Sequence, residues 1–271
     1  MADLDQYGRD PLHYAAADGD LDTVRARLAA GVEVDLREKR AGLTPLHFAV
    51  SEGSLGTASL LLDAGADVNA GNNGKASALH LAVTRWRQAP DGAMLRLLIE
   101  RGADLAVRNK QGSTPVEATA GQWDFPAELV SILNPAIKLD DTGRDALHQA
   151  AAENNVDAIG QRLADGVPVN FRQRRTGNYT ALHIAIEHGA LDAATTLLQA
   201  GANVNAAAGE IPSALHLAVS KWQAAPDGVI IKLLLDNGAD ATITDPYFGT
   251  AAEFATKQDS FPPALLEILN A

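Results

Sequence analysis

The chain has 271 residues, a net charge of −12 at neutral pH and no cysteine, which excludes a disulfide framework, a thiolate metal site and a cysteine nucleophile. Nucleic acid is a poor partner for so acidic a field, whereas a basic protein partner suits it. Residues Met1 to Asp5 lack the basic and apolar regions of a signal peptide, and no apolar run approaches the ~20 residues of a membrane span, so a cytoplasmic protein with no membrane association is expected.

Along the chain a tetrapeptide keeps returning. Asp10-Pro11-Leu12-His13 is followed by Thr44-Pro45-Leu46-His47, Ser77-Ala78-Leu79-His80 and a variant ending in glutamate, Thr114-Pro115-Val116-Glu117. The series then restarts with Asp145-Ala146-Leu147-His148, Thr180-Ala181-Leu182-His183, Ser213-Ala214-Leu215-His216 and Thr250-Ala251-Ala252-Glu253. Each copy predicts a helix start. Asp, Ser or Thr is the N-cap whose side-chain oxygen accepts an orphan backbone N–H, and Pro or Ala fits the first helical position. Thr114 with Glu117 and Thr250 with Glu253 match a capping box. A second apolar helical run follows, as in Leu60-Leu61-Leu62, and ends at a glycine suited to a left-handed cap: Gly31, Gly65, Gly102, Gly166, Gly201 or Gly238. A short extended segment such as Ala66-Asp67-Val68-Asn69 and a polar turn complete the unit. Such a period makes the fold a stack of like units.

Thr-Pro-Leu-His, followed 18 residues after His47 by Gly65-Ala66-Asp67-Val68-Asn69, resembles the ankyrin repeat. The resemblance covers nearly the whole chain. It implies an all-α solenoid, a superhelix of about eight helix-turn-helix repeats with short β-hairpin fingers. It also implies that the motif histidines hydrogen-bond near helix N-termini and link repeats, rather than binding metal or acting as bases.

The marker residues step by 34, 33 and 37 from His13, and by 35, 33 and 37 from His148. The long third step repeats an insertion, Thr84 to Gly92 against Ser220 to Gly228, and Phe125-Pro126 recurs as Phe261-Pro262. A four-repeat module copied in tandem accounts for this. The expected domains are 1–135 (repeats 1–4) and 136–271 (repeats 5–8), stacked as one continuous solenoid with a bend near 134–142. The fourth and eighth units read as terminal caps.

No acid–base, nucleophile, metal or cofactor constellation stands out, so a non-enzymatic protein-binding module without cofactor, monomeric when free, is expected. Basic clusters at the turn tips, Arg37, Lys39 and Arg40 in the first loop and Arg172, Arg174 and Arg175 in the fifth, are either solvated or grip carboxylates. Trp86 and Trp222 lie at matched places in the insertions and serve either as partner anchors or as plugs against their own helices. His188, the one histidine outside the motif, is a binding residue or an idle exposed one. The resemblance places Leu43, Glu52, Glu153, Asn154, Tyr179, Glu187 and Tyr247 on the binding face with them. The specific expectation is a bacterial immunity protein that neutralises a secreted toxin with a basic domain. The alternative is a general adaptor or regulatory scaffold, or a host-targeted effector.

Overall fold

The computed structural model describes residues 3–122, 124–173, 177–211 and 213–270. Two compact units divide the chain, Met1–Pro135 and Ala136–Ala271. The first contains four helix pairs: α1 (Pro11–Asp18) with α2 (Leu21–Ala29), α3 (Pro45–Glu52) with α4 (Leu55–Asp63), α5 (Ala78–Thr84) with α6 (Ala93–Glu100), and α7 (Pro115–Ala118) with α8 (Ala127–Leu133). The second repeats the plan: α9 (Ala146–Ala152) with α10 (Val156–Ala164), α11 (Ala181–Glu187) with α12 (Leu191–Gln199), α13 (Ala214–Ser220) with α14 (Val229–Asp236), and α15 (Ala251–Ala255) with α16 (Pro263–Asn270).

The motifs start these helices in the way their side chains dictate. Thr44 has extended backbone (φ −91°, ψ 166°) and Pro45 opens α3. His47 serves where a capping box has Glu: its Nδ1 accepts the Thr44 N–H at 3.2 Å, and its Nε2 reaches the Ala76 carbonyl of the next repeat at 3.3 Å. His13, His80, His183 and His216 make the same long reach, to Leu36, Ser113, Ala206 and Gly249. His148 instead buries both ring nitrogens without the long reach to a following loop, its ring edge-on to Phe171. Glu117 and Glu253 close true capping boxes on Thr114 and Thr250. The apolar positions between caps form the core of each unit. Leu46, Leu61, Leu79 and Leu98 of the first, and Leu147, Ile159, Leu182 and Leu215 of the second, are at most 1% exposed, each contributing about 2 kcal/mol by burial.

The expected β-hairpin fingers are not formed. Among the described residues there is no strand, only the isolated bridges Arg172–Thr180, Ala208–Ile211 and Asp245–Gly249. The reason is local side-chain competition for the backbone. Asn72 Oδ1 accepts the N–H groups of Gly74 and Ala76, and Asn109 Oδ1 those of Gln111 and Ser113. These Asx turns consume the donors a ladder would need. The expected extended segment likewise closes as a turn, with Asp67 accepting from Asn69 N–H and Ala70 N–H bonding to Asp67 O. One backbone bond at each step helps to join successive loops of the first unit: Lys39 to Tyr7, Asn73 to Ala41 and Lys110 to Gly74.

Side-chain amides stitch the other end of the repeats. Asn69 donates to Gly102 O at 3.1 Å and accepts from Asp104 N–H at 2.7 Å. Asn205 does the same with Gly238 and Asp240, at 3.1 and 2.8 Å. The opening repeat of each unit carries a further device. Asp10 takes Arg27 in a fork, at 3.0 and 2.6 Å, and Asp145 takes Arg162 at 3.2 and 2.7 Å. Both aspartate side chains are fully buried.

Candidate functional site

The polar loops and the ends of the first helices carry most of the residues singled out from the sequence. In the first loop, Arg37 Nη1 donates to Gly42 O at 2.9 Å and to Gly71 O of the following loop at 2.7 Å. Arg172 does the same in the second unit, to Asn178 O at 2.8 Å and Ala207 O at 2.6 Å, and burial lowers its guanidinium pKa. Both therefore hold neighbouring loops together. Lys39 and Arg40 are exposed beside Arg37, and Leu43 is half-buried. Arg174 and Arg175 lie outside the described residues.

Between these cations sits Glu38, 2% exposed. Burial raises its pKa, but the N–H groups of Ala41, Arg40 and Leu43 outweigh that and hold it below the usual value. The matching residue of the second unit is Gln173, 1% exposed, which accepts Arg144 Nε at 2.7 Å.

The two insertions are short 3₁₀ turns, Trp86–Gln88 and Trp222–Ala224. Each indole is half-buried and meets the phenylalanine of the next repeat edge-on: Trp86 with Phe125 and Trp222 with Phe261, both at 5.9 Å and 71°. The insertion also crosses the glycine that ends the preceding first helix. A Cβ on Gly53 would lie 2.6 Å from Gln88 O, and one on Gly189 2.4 Å from Ala224 O.

The helix-end residues fare differently. Glu52 and His188 are exposed. Glu153 accepts from Gln149 Nε2. Asn154, in left-handed conformation (φ 53°), accepts Ala193 N–H at 2.8 Å and donates to Asp192 at 3.1 Å, fastening α12. Glu187 pairs with Lys221 at 3.4 Å. Tyr179 stacks on His183 at 5.6 Å, and burial, then the Glu187 charge, raises its pKa. Tyr247 is 86% exposed and, with Glu210, Asp245 and Phe248, lines an open pocket of about 460 Å³.

The structure adds a cluster that the motif reading passed over. Arg9 lies over three rings, Tyr7 at 5.3 Å, Tyr14 at 5.8 Å and Phe48 at 5.1 Å. Tyr7 and Tyr14 are 45% and 42% exposed. The signal was present in the internal duplication: Tyr7, Tyr14 and Phe48 correspond to Thr142, Gln149 and Ile184, the aromatic set of one unit being absent from the other.

Two of the motif histidines are buried deeply enough to be neutral elements of the stack. Burial takes His47 and His183 down to about 4, against weaker opposition from their carbonyl partners Ala76 and Ala206. Among the described residues no group of three or more His, Asp or Glu side chains is placed to hold a metal ion, and no helix is long and apolar enough to cross a membrane.

The family profile described as "Ankyrin repeats (3 copies)" matches residues 12–109 and 119–208. The chain is 29% identical over 181 residues to the B-cell lymphoma 3 protein homolog of Mus musculus, covering 64% of this chain and 38% of that protein. It is 31% identical over 267 residues to the mouse Ankyrin repeat and SOCS box protein 16, covering 97% of this chain and 51% of that protein. It thus spans about half or less of these relatives. The crystal structure of the human ASB11 ankyrin repeat domain aligns over 97% of this chain and 99% of that one, with 24% identity and a TM-score of 0.39. The named relatives come from mouse, human, Drosophila, chicken and Arabidopsis. They are eukaryotic proteins and not bacterial toxin-immunity proteins, which overturns the expectation of a bacterial toxin inhibitor.

Proposed function

The chain belongs to the ankyrin-repeat family, and from that premise we propose that it is an adaptor or regulatory scaffold that binds a protein partner through its loops and first-helix ends. The observation that carries the reading is the division of labour among polar groups. Five motif histidines, Asn69, Asn205, Arg37 and Arg172 are engaged in joining one repeat to the next. Exposed aromatic and charged groups, Tyr7, Tyr14, Lys39, Arg40, Glu52, His188 and Tyr247, are left at the surface. A rigid scaffold of this kind lowers the ordering cost of binding, and a standard interface needs only ~800 Å² on each partner.

The test is capture on immobilised full-length chain from a eukaryotic lysate, with elution by free chain and identification by mass spectrometry. A protein that is retained, displaced by free chain and rebound in purified form with saturable affinity supports the reading. Absence of any such protein, or retention that a chain unfolded in urea reproduces, defeats it.

A further inference from the structure

We propose that the Arg9 patch of the first unit docks an acidic, apolar segment of a partner protein, with a carboxylate taken by Arg9 and a neighbouring apolar side chain seated on Tyr7 and Tyr14. This rests on the protein-binding reading above and names the surface and the chemistry.

The argument comes from one residue present in two environments. Arg9 and Arg144 each stand four positions before a motif histidine, His13 and His148. In the second unit Arg144 Nε donates to Gln173 at 2.7 Å. In the first, Glu38 occupies the Gln173 place, but its carboxylate turns into its own loop and accepts from Arg40, Ala41 and Leu43. Asp5, the other near carboxylate, is taken by the Tyr14 hydroxyl at 2.6 Å and by the N–H groups of Tyr7 and Arg9. Arg9 is thus left without an ion-pair partner among the described residues. Its Nε is buried and unbonded, and the residue as a whole is half-buried.

A guanidinium fixed over three rings within cation–π distance has lost little freedom to lose again. Its planar edge matches a carboxylate. Around it stand exposed apolar groups and two exposed cations, and the Asp5 and Glu38 carboxylates, already engaged, feel the Arg9 charge. Leu4, Tyr7 and Tyr14 are 48%, 45% and 42% exposed. The Lys39 stem passes over Gly8, where a Cβ would lie 2.7 Å from Lys39 Cγ, and Lys39 and Arg40 are exposed. On a chain of net charge −12 the cations Arg9, Lys39 and Arg40 stand together here, two of them exposed, so a partner carboxylate finds its complement at this place. The ring cage is already filled by Arg9, which leaves no place for a cationic ligand.

The experiment pans a displayed library of random dodecapeptides on the immobilised full chain, then measures the leading peptide by fluorescence anisotropy. The expected peptides pair Asp or Glu with an adjacent aromatic or aliphatic residue. Arg9→Gln should weaken the leading peptide at least about tenfold, the loss of one charge-assisted contact, and changing the peptide's acid to its amide should do the same. Arg144→Gln should not change binding, and thermal melts of all variants establish that they are folded. Peptides without acid, or peptides that bind Arg9→Gln as tightly as wild type, overturn the proposal while leaving the protein-binding reading intact. A library that yields no saturable peptide overturns it too, and the lysate capture then decides the broader reading independently.

Discussion

Arg9 and Arg144 hold the same register in the two units and end in different company: one on three aromatic rings, the other on a glutamine oxygen. Around them much of the design is duplicated with near-identical geometry. The forked Asp10–Arg27 and Asp145–Arg162 pairs agree within a few tenths of an ångström. Trp86–Phe125 and Trp222–Phe261 share both distance and angle, and Arg37 and Arg172 bridge equivalent loops. What differs is Tyr7 against Thr142, Tyr14 against Gln149, Glu38 against Gln173 and Phe48 against Ile184. Within one chain the duplication separates residues that stacking requires from residues free to serve a partner.

The forked pairs give the strongest test of that separation. Arg27→Met and Arg162→Met each strand a fully buried aspartate, and loss of one partner of a buried pair costs about 3–5 kcal/mol. Hydrogen exchange should show the loss in the unit that carries the change, with similar size in both. A mild effect in one unit only would break the claim that the two scaffolds are equivalent.

Acid should weaken the units in parallel. His47 and His183 titrate near 4 when folded, below the 6.5 of the unfolded side chain, so above pH 6.5 both states are neutral and nothing is lost. As pH falls from 6.5 toward 4 the unfolded chain binds protons that the folded chain refuses. Stability therefore drops by up to about 1.4 kcal/mol per pH unit for each histidine, reaching roughly 3 kcal/mol each. Urea midpoints at pH 7.5, 6 and 4.5, read by a probe in each unit, check this. His47→Gln or His183→Gln should flatten the slope of its own unit.

Next come the helix-end glycines under the insertions. Gly53→Ala and Gly189→Ala force a positive φ on alanine and drive Cβ into a carbonyl oxygen, for about 2–3 kcal/mol each. Gly31 has φ 79° but nothing within 4 Å of a Cβ, so Gly31→Ala should cost only about 1 kcal/mol. Equal costs in thermal or chemical melts would mean that the insertion moves aside, and that the matched tryptophan contacts do not fix it.

Much of this architecture is legible in the chain because helix starts and stops are local chemistry. The caps Asp10, Thr44 and Thr114, the prolines after them and the closing glycines all lie within a few residues of what they satisfy. The expected hairpin fingers fail to form for a related reason. Asn72 and Asn109 look like ordinary turn residues, but the number of backbone donors each one captures decides between a ladder and an Asx turn. The candidate site is less legible still. Sequence displays Arg37 and Arg172 as cations at a tip, while their acceptors Gly71 and Ala207 lie 34 and 35 residues away. Arg9 carries no motif, and only comparison of the two halves sets it apart.

The smallest effect is the most pointed, because it converts one unit toward the other. Glu38→Gln replaces a carboxylate that accepts from three backbone N–H groups with an amide offering one oxygen, which should cost about 1–2 kcal/mol at pH 7. The folded pKa of Glu38 is held below its ordinary value of 4.5, so its contribution is fully present above that pH and is lost as pH falls through the folded value. At pH 3 the gap between wild type and variant should therefore narrow. Gln173→Glu, the reverse change, keeps the Arg144 contact and should shift stability by less than about 1 kcal/mol. If the introduced amide at position 38 also captures Arg9 as Gln173 captures Arg144, peptide binding should weaken with the guanidinium drawn down from the rings. Unchanged binding in a folded Glu38→Gln protein would mean that the aromatic bed, and not the missing acceptor, holds Arg9 at the surface.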